Sequence, residues 1–235
     1  MIDAEILVLC GGLGTRLSSI SKGVPKGLML GPSGYPFIYE LIDQLSRSGF
    51  KNIILALGYG SEDYVDFFRA QFHKDVSIRF SIENSPLGTG GAIINAMKEI
   101  NTETFFVVNG DTYTTINYTE MLEFHKQKNA QVTISGLELQ KSRSDVGSIK
   151  YDAITHALVE FSEKNNSSKC VNAGVYIFNK EVFLLKNYEA KKLSLEKEII
   201  PEFISTKARI YLYEFSGKMS DIGTPERYKR YVEQK

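Results

Sequence analysis

Two kinds of hydrophobic run alternate along the first half of the chain. Ile6-Leu7-Val8-Leu9-Cys10 is continuously apolar and closed by Gly11-Gly12, the pattern of a strand buried on both faces. From Phe37 to Ser48 the apolar residues fall at 37, 38, 41, 42 and 45, a helical period that Gly49 ends. Ile53 to Leu57 predicts a second buried strand. Glu62 to Phe72 predicts a helix with Val65, Phe68 and Phe72 on one stripe, and Val76 to Ile82 a third strand. Gly90 to Ile100 reads as a helix and Phe105 to Val108 as a strand running into Asn109-Gly110-Asp111.

Strands and helices alternating over short connections predict an α/β fold: a Rossmann-like, mostly parallel mixed sheet flanked by helices. In such sheets ligands bind beyond the carboxyl ends of the strands. The glycine-rich turn after Cys10 and the aspartate after Val108 both belong at that edge. The second half is less regular. Val132 to Leu139, Ser148 to Tyr151, Ala157 to Phe161, Val171 to Phe178 and Ile210 to Phe215 read as strands, with a polar loop from Glu163 to Lys169. Leu195 to Ile204 predicts a short helix, and Pro225 to Val232 a closing one capped by Thr224. With no repeat or linker, the pattern predicts one domain, 1–235, in which a strand-rich lobe from about residue 131 joins the parallel part.

Composition narrows the field. The 235 residues are 43% hydrophobic and 24% charged, ordinary for a globular protein. Lys plus Arg and Asp plus Glu each number 28, so the chain lacks the basic excess of a duplex nucleic-acid binder or a polybasic membrane anchor. Two cysteines, Cys10 and Cys170, are too few for a disulfide framework and read as buried reduced thiols. The N-terminus has no signal-peptide pattern, and no stretch approaches the roughly 18 apolar residues of a membrane span. The expectation is a soluble cytoplasmic protein with neither nucleic acid nor membrane as partner. His73, His125 and His156 are isolated and read as surface or helix-face residues.

Gly11-Gly12-Leu13-Gly14-Thr15-Arg16-Leu17 directly follows a strand, where glycines let backbone N–H groups approach a phosphate. It is not a dinucleotide fingerprint, since Leu17 stands at the third glycine position and the second strand ends in Gly58-Tyr59 without a carboxylate for a ribose. Nor is it a P-loop, for no Gly-Lys-Ser/Thr follows. What remains is a phosphate-cradling turn with Arg16 at once and Pro25-Lys26 further on, two cations suited to a substrate carrying several phosphates.

That turn with its downstream Pro-Lys resembles the signature of the sugar-1-phosphate nucleotidyltransferases. Four further stretches match in the same order: Ser85-Pro86-Leu87-Gly88-Thr89-Gly90-Gly91-Ala92; Val108-Asn109-Gly110-Asp111; Phe161-Ser162-Glu163-Lys164 with Val171-Asn172-Ala173-Gly174-Val175-Tyr176; and Ser220-Asp221-Ile222-Gly223-Thr224-Pro225. Within the family, Pro-Leu-Gly-Thr-Gly-Gly-Ala, Asn-Gly-Asp-Thr and Ser-Leu-Glu-Lys-Glu are similar to the D-glycero-α-D-manno-heptose 1-phosphate guanylyltransferases. One departure stands out. The family reads Pro-Lys-Pro-Met or Pro-Lys-Pro-Leu, whereas here Lys26 is followed by Gly27-Leu28-Met29.

The resemblance implies a GT-A-like nucleotidyltransferase fold, with about 1–130 binding nucleotide and about 131–235 binding sugar phosphate. It implies in-line attack by a sugar 1-phosphate on the α-phosphorus of a nucleoside triphosphate, GTP favoured, with pyrophosphate leaving, and a place in surface-polysaccharide (capsule or lipopolysaccharide) synthesis. Arg16, Lys26 and Asp111 would be catalytic. Leu9, Gly11, Gly12, Gly14, Thr15, Glu83, Pro86, Gly88, Thr89 and Gly110 would hold the nucleotide. Gly147, Glu163, Lys164, Asn172, Gly174 and Glu196 would hold the sugar phosphate. Asp111 and Asp221 would bind Mg²⁺, whose hard-ligand preference suits one or two carboxylates plus phosphate oxygens. Taken alone, Asp111 reads as a turn residue, Asp221 as a helix-approach cap, Glu83 as an exposed strand-end charge, and Glu163-Lys164 as a solvated pair. A hexose or amino-sugar 1-phosphate transferase using UTP, CTP, dTTP or GTP is the alternative within the class, and a catalytically silent nucleotide-sugar sensor the alternative outside it. A homodimer is compatible with either.

Overall fold

The apolar runs of the first half become a parallel sheet with helical crossovers. β1 (Glu5–Leu9) leads through the short α1 (Ser18–Ser21) and α2 (Phe37–Arg47) to β2 (Asn52–Leu57). From there α3 (Ser61–Ala70) leads to β3 (Ser77–Ile82), and α4 (Gly88–Ala96) to β4 (Thr104–Asn109). A computed structural model describes residues 1–70, 75–138, 148–162, 170–184, 188 and 191–233. β1 pairs in parallel with both β2 and β4, and β2 with β3. The chain therefore steps outward to β3 and returns to the far side of β1, so the loops after β1 and β4 diverge and leave a crevice at their carboxyl ends.

The second half completes the same sheet. In chain order it holds β5 (Thr112–Thr114), α5 (Tyr118–Gln127), β6 (Val132–Glu138), β7 (Ser148–Tyr151), β8 (Leu158–Ser162) and β9 (Cys170–Asn179). α6 (Glu181–Leu184), α7 (Ile200–Ser205), β10 (Ile210–Phe215), β11 (Met219–Asp221) and α8 (Pro225–Val232) follow. β9 enters antiparallel between β4 and β6, and β10 lies parallel to β6. The order β10-β6-β9-β4-β1-β2-β3 thus joins both halves in one mixed sheet, with β7 attached to β9 and β8 to β7. β5 and β11 form a separate antiparallel ribbon.

Period-two alternation decides what each face buries. Ile6, Val8, Ile53, Leu55, Leu57, Phe106 and Val108 pack on the side of Phe37, Leu41 and Tyr64. Leu7, Ile54, Ala56, Phe105 and Val107 pack on the side of Ile93, Ile199 and Phe203. Both faces of β1, β2 and β4 are covered, as their continuous apolar runs require. Cys10 and Cys170 are buried free thiols. No helix among the described residues is long and apolar enough to cross a membrane.

Three local features depart from the hydrophobic pattern. The helix expected from Leu195 to Ile204 is split into a π-helical turn, Leu195–Ile199, and α7, because Pro201 has no N–H to continue the ladder. The ribbon strands β5 and β11 are three residues each, too short to show a period. α5 buries Tyr118, Met121, Leu122 and His125, a helical stripe whose last member is polar; Asn117 caps it by accepting from the Thr119 and Glu120 amides.

His125 is therefore not a surface residue: it is 3% exposed. Its Nε2 meets Asn179 Oδ1 at 3.1 Å and its Nδ1 meets Thr133 Oγ1 at 2.8 Å. Because Asn179 Nδ2 donates to the Ala130 carbonyl, Asn179 Oδ1 must accept, which assigns the ring proton to Nε2. Burial lowers the His125 pKa below its ordinary 6.5, against the opposing hydrogen bond from Asn179. With the folded pKa depressed, the unfolded chain takes up the proton first. This contribution to stability is complete above about pH 6.5 and declines as the pH falls below it. The urea midpoint of the wild type should fall from about pH 8 to about pH 5, and His125→Gln, though less stable, should lose most of that dependence. Equal slopes for the two proteins would contradict the assignment.

Candidate active site

The chain leaves β1 in a turn that calls for glycine at 11 and 14. Cys10 N–H donates to the Ala56 carbonyl at 2.8 Å, Gly14 sits at φ +61, and a 3-10 turn, Thr15–Leu17, plants Leu17 in the core while Arg16 stays exposed. Alongside, Gly110 N–H donates to the Leu9 carbonyl at 3.0 Å. A Cβ on Gly110 would stand 2.5 Å from Cys10 Sγ, so the ends of β1 and β4 come together this closely only with glycine at 110. Asp111, the next residue, emerges beside the glycine turn.

There it meets Lys26. The ammonium donates to Asp111 Oδ2 at 2.6 Å, and Thr112 Oγ1 donates to Oδ1 at 3.0 Å. Burial pushes the Asp111 pKa up, but Lys26, by charge and hydrogen bond, with Thr112 and Arg16, outweighs burial and holds the carboxyl below the usual aspartate range. Asp111 is thus a carboxylate under cationic control, not simply a turn residue.

Around this pair opens a cleft of about 440 Å³. Leu9, Gly11, Gly12, Gly14, Thr15, Glu83, Pro86, Gly88, Thr89, Gly110, Lys26 and Asp111 all line it, so every residue expected from the motifs to hold a nucleotide faces one space. Glu83 is half-buried at its edge. Its Oε2 accepts from Leu87 N–H at 3.2 Å, and its Oε1 stands where a Cβ of Gly11 or Gly58 would lie. Burial raises its pKa, opposed by the Leu87 hydrogen bond. The carboxylate thus holds the Pro86 loop by a hydrogen bond and fills the space that glycine leaves at 11 and 58.

Thr89, at the start of α4, is already engaged through its hydroxyl. It accepts from Leu195 N–H at 2.8 Å and donates to Glu196 Oε2 at 2.8 Å. Glu196 Oε1 accepts from Tyr176 OH at 3.4 Å, and Asn172 Nδ2 donates to that hydroxyl at 2.6 Å. Asn172 Oδ1 accepts from Gly174 N–H at 3.0 Å. Gly174, at φ +72, makes room for Asn109, whose Nδ2 would be 2.5 Å from a Cβ there. Asn172, Gly174 and Glu196 therefore form one network that reaches the cleft through Thr89. Gly147, Glu163 and Lys164 lie outside the described residues.

Asp221 reaches the other end of the site through the β5–β11 ribbon. It registers with Thr112, and Ile222 N–H donates to the Asp111 carbonyl at 3.0 Å. Its Oδ1 accepts from Arg227 Nη1 at 2.8 Å and Gly223 N–H at 3.1 Å. Arg16 approaches here rather than in the cleft: its Nη2 is 3.9 Å from the Cβ position of Gly223. The Ile222–Asp111 hydrogen bond joins the segments that carry the two carboxylates, and their hard oxygens are of the kind a divalent cation takes together with water and phosphate. Among the described residues no group of three or more His, Cys, Asp and Glu gathers as a metal site.

Several cleft-lining residues carry no nucleotide-binding role in the sequence reading: Tyr64, Asn109, Ala92, Cys10, Gly27 and Lys192 among them. Asn109 lies within a quoted motif. The stripe predicted for this helix, Val65, Phe68 and Phe72, leaves out Tyr64, whereas α3 buries Tyr64 and Phe68, and Lys192 belongs to a polar stretch without period.

An α/β sheet with this cleft at its switch point is the architecture of a nucleotide-handling enzyme. A family model described as Nucleotidyl transferase matches residues 5–234, and the chain belongs to that family. It is 33% identical to a D-glycero-alpha-D-manno-heptose 1-phosphate guanylyltransferase of Aneurinibacillus thermoaerophilus over 230 residues, 96% of each chain. It is 35% identical to mannose-1-phosphate guanyltransferase 2 of Candida glabrata, covering 94% of this chain but 61% of that one. HddC from Yersinia pseudotuberculosis superposes with a TM-score of 0.87 at 33% identity, covering 98% of this chain and 99% of that one. A second crystal structure of HddC is of its complex with GMP-PN.

The contact between Glu83 and the glycine turn makes a packing prediction. Gly11→Ala puts its methyl on the Glu83 carboxylate, whose displacement breaks the bond to the Leu87 amide, and should cost about 1 kcal/mol in urea unfolding. In a Glu83→Ala background most of that cost should vanish, a coupling expected of groups in contact. Additive effects would contradict it.

Proposed function

We propose that the protein transfers a guanylyl group from GTP to a sugar 1-phosphate, releasing pyrophosphate, with D-glycero-α-D-manno-heptose 1-phosphate as the preferred acceptor and GDP-heptose for surface polysaccharide as the product. The observation that carries this is the Lys26–Asp111 pair, 2.6 Å apart, on the floor of a glycine-lined cleft in a nucleotidyl transferase. The GMP-PN complex of a 33% identical relative supports guanine nucleotide in this cleft.

In this reading the obstacle is the approach of two anions. The backbone N–H groups of Gly11, Gly12 and Gly14 cradle the triphosphate, and the nucleobase rests against Pro86 and Gly88. Arg16, at the open end, meets the leaving pyrophosphate. An oxygen of the sugar phosphate attacks the α-phosphorus in line, the new P–O bond forming as the bond to the β-phosphate oxygen breaks. Lys26 offsets the charge gathering on the α-phosphate oxygens, and stabilisation by fixed cations of this kind is the main resource for such a reaction. Glu196, Asn172 and Gly174 face the sugar, with Gly147, Glu163 and Lys164 assigned to the same side by resemblance. Asp111 and Asp221 would hold Mg²⁺, which supplies charge neutralisation for the phosphates when bound. Buried free thiols support a reducing, cytoplasmic setting.

The mannose-1-phosphate relatives, at 30–35% identity, favour one second reading: mannose 1-phosphate as acceptor with the same nucleotide. Pyrophosphate release with GTP, UTP, CTP and dTTP against heptose, mannose and glucose 1-phosphates should be largest for GTP with the heptose. A maximum for GTP with mannose selects the second reading, and turnover with none removes both. Lys26→Ala and Asp111→Asn should each lower kcat by about 10²-fold or more while the melting temperature stays within a few degrees. Near-normal turnover in either variant would take that residue out of the mechanism.

A further inference from the structure

We propose that Tyr64 is a positioning residue for Lys26, its hydroxyl anchoring the Lys26 turn from below by accepting the Gly27 amide. The inference rests on the reading that Lys26 meets the reacting phosphates.

The turn that carries Lys26 lies between an open outer flank and the core. Lys26–Leu28 is a single 3-10 turn after Pro25. On its outer flank lies a hollow of about 110 Å³ lined by Gly14, Leu17, Ser18, Ser21, Gly23 and Tyr59. The approach to it, residues 22–24, is exposed, with Lys22 and Gly23 both at positive φ, 49 and 88. The chain there is held by Val24 N–H donating to the Ser21 carbonyl at 2.9 Å. On the inner flank, Gly60 leaves room for the Pro25 ring, since a Cβ at 60 would collide with it. One turn along, Gly27 N–H donates to Tyr64 OH at 3.0 Å, and a Cβ on Gly27 would lie 2.5 Å from that oxygen. Tyr64 is 2% exposed, lines the cleft, and projects from α3 in the main core. Burial keeps its hydroxyl protonated, with the nearby Cys10 and Asp111 acting in the same direction.

The pairing accounts for the residue after Lys26. The nucleotidyltransferase signature that the chain resembles has proline there. Proline has no amide to donate, and its ring would crowd the tyrosine oxygen. Here a buried hydrogen bond takes over what ring stiffness would do. Lysine is a mobile point charge on a flexible stem, so the ammonium can hold its 2.6 Å approach to Asp111 only if its backbone is fixed.

Tyr64→Phe removes a single oxygen and leaves the ring in the core. At saturating GTP and sugar 1-phosphate its kcat should fall about 10-fold, the effect of orphaning one buried amide, with the melting temperature within a few degrees of wild type. GTP affinity, measured by calorimetric titration, should weaken in the wild-type background and show no further loss in Lys26→Ala. Gly27→Ala should also lower kcat, and less so when combined with Tyr64→Phe, where the oxygen it strikes is gone. An equal affinity loss with and without Lys26 would overturn the proposal and leave Tyr64 a core residue, as would unchanged kcat and affinity in Tyr64→Phe. The titration needs no turnover, so it judges the anchor separately from the identity of the acceptor. Failure of the wild type to use any sugar 1-phosphate would count against the functional reading alone.

Discussion

How closely two parallel strands end beside one another governs the site. β1 and β4 run in register as far as Leu9 and Asn109, and their loops depart in different directions because β2 and β9 lie outside them. The Gly110 amide on the Leu9 carbonyl, 3.0 Å away, sets the gap. With any side chain at 110 the strand ends, and Asp111 with them, would have to shift. A chain of zero net charge thereby gathers Lys26, Arg16 and Arg227 around two carboxylates at one edge of its sheet. Local placement, rather than overall charge, makes the cleft suited to phosphate.

The parallel half of the fold was legible because its strands are buried on both faces and advertise it as unbroken apolar runs such as Ile6–Cys10 and Ile53–Leu57. The same holds for the position of the cleft, which follows from the strand–helix alternation and the glycine turn without any family knowledge. The second half was less legible for a physical reason. β9 is an antiparallel strand in the middle of a mixed sheet, and its run of ten residues carries no sign of direction. α5 was hidden by the polar ring of His125 on its core-facing stripe, and the ribbon strands by their length. The proposed roles on the sugar side were read from motif order alone, since nothing in the local pattern reveals that Thr89 and Glu196, 107 residues apart, share a hydrogen bond.

That hydrogen bond also shows how the two halves of the molecule communicate. α4 starts at the cleft, and its first amides are met by the Leu193 carbonyl, from Gly90 at 2.9 Å and Gly91 at 3.3 Å. The π-helical turn that follows presents Glu196 back to Thr89. Nucleotide and acceptor sides, in the proposed reaction, are therefore built on a common backbone seam, and tight glycines at 88, 90 and 91 are what let the seam close. The Lys26 turn is anchored to the opposite wall, on α3, so the cation and the acceptor side are positioned by separate parts of the core.

In the proposed reaction this cleft breaks GTP between its α- and β-phosphates and gives the α-phosphorus to a sugar 1-phosphate. GTP labelled at the α-phosphorus, incubated with the enzyme, Mg²⁺ and D-glycero-α-D-manno-heptose 1-phosphate, follows that atom directly. The account requires all transferred label in a guanosine diphosphate sugar and none in the pyrophosphate released alongside it. Label appearing in pyrophosphate, or in free GMP or GDP without a sugar nucleotide, would contradict it.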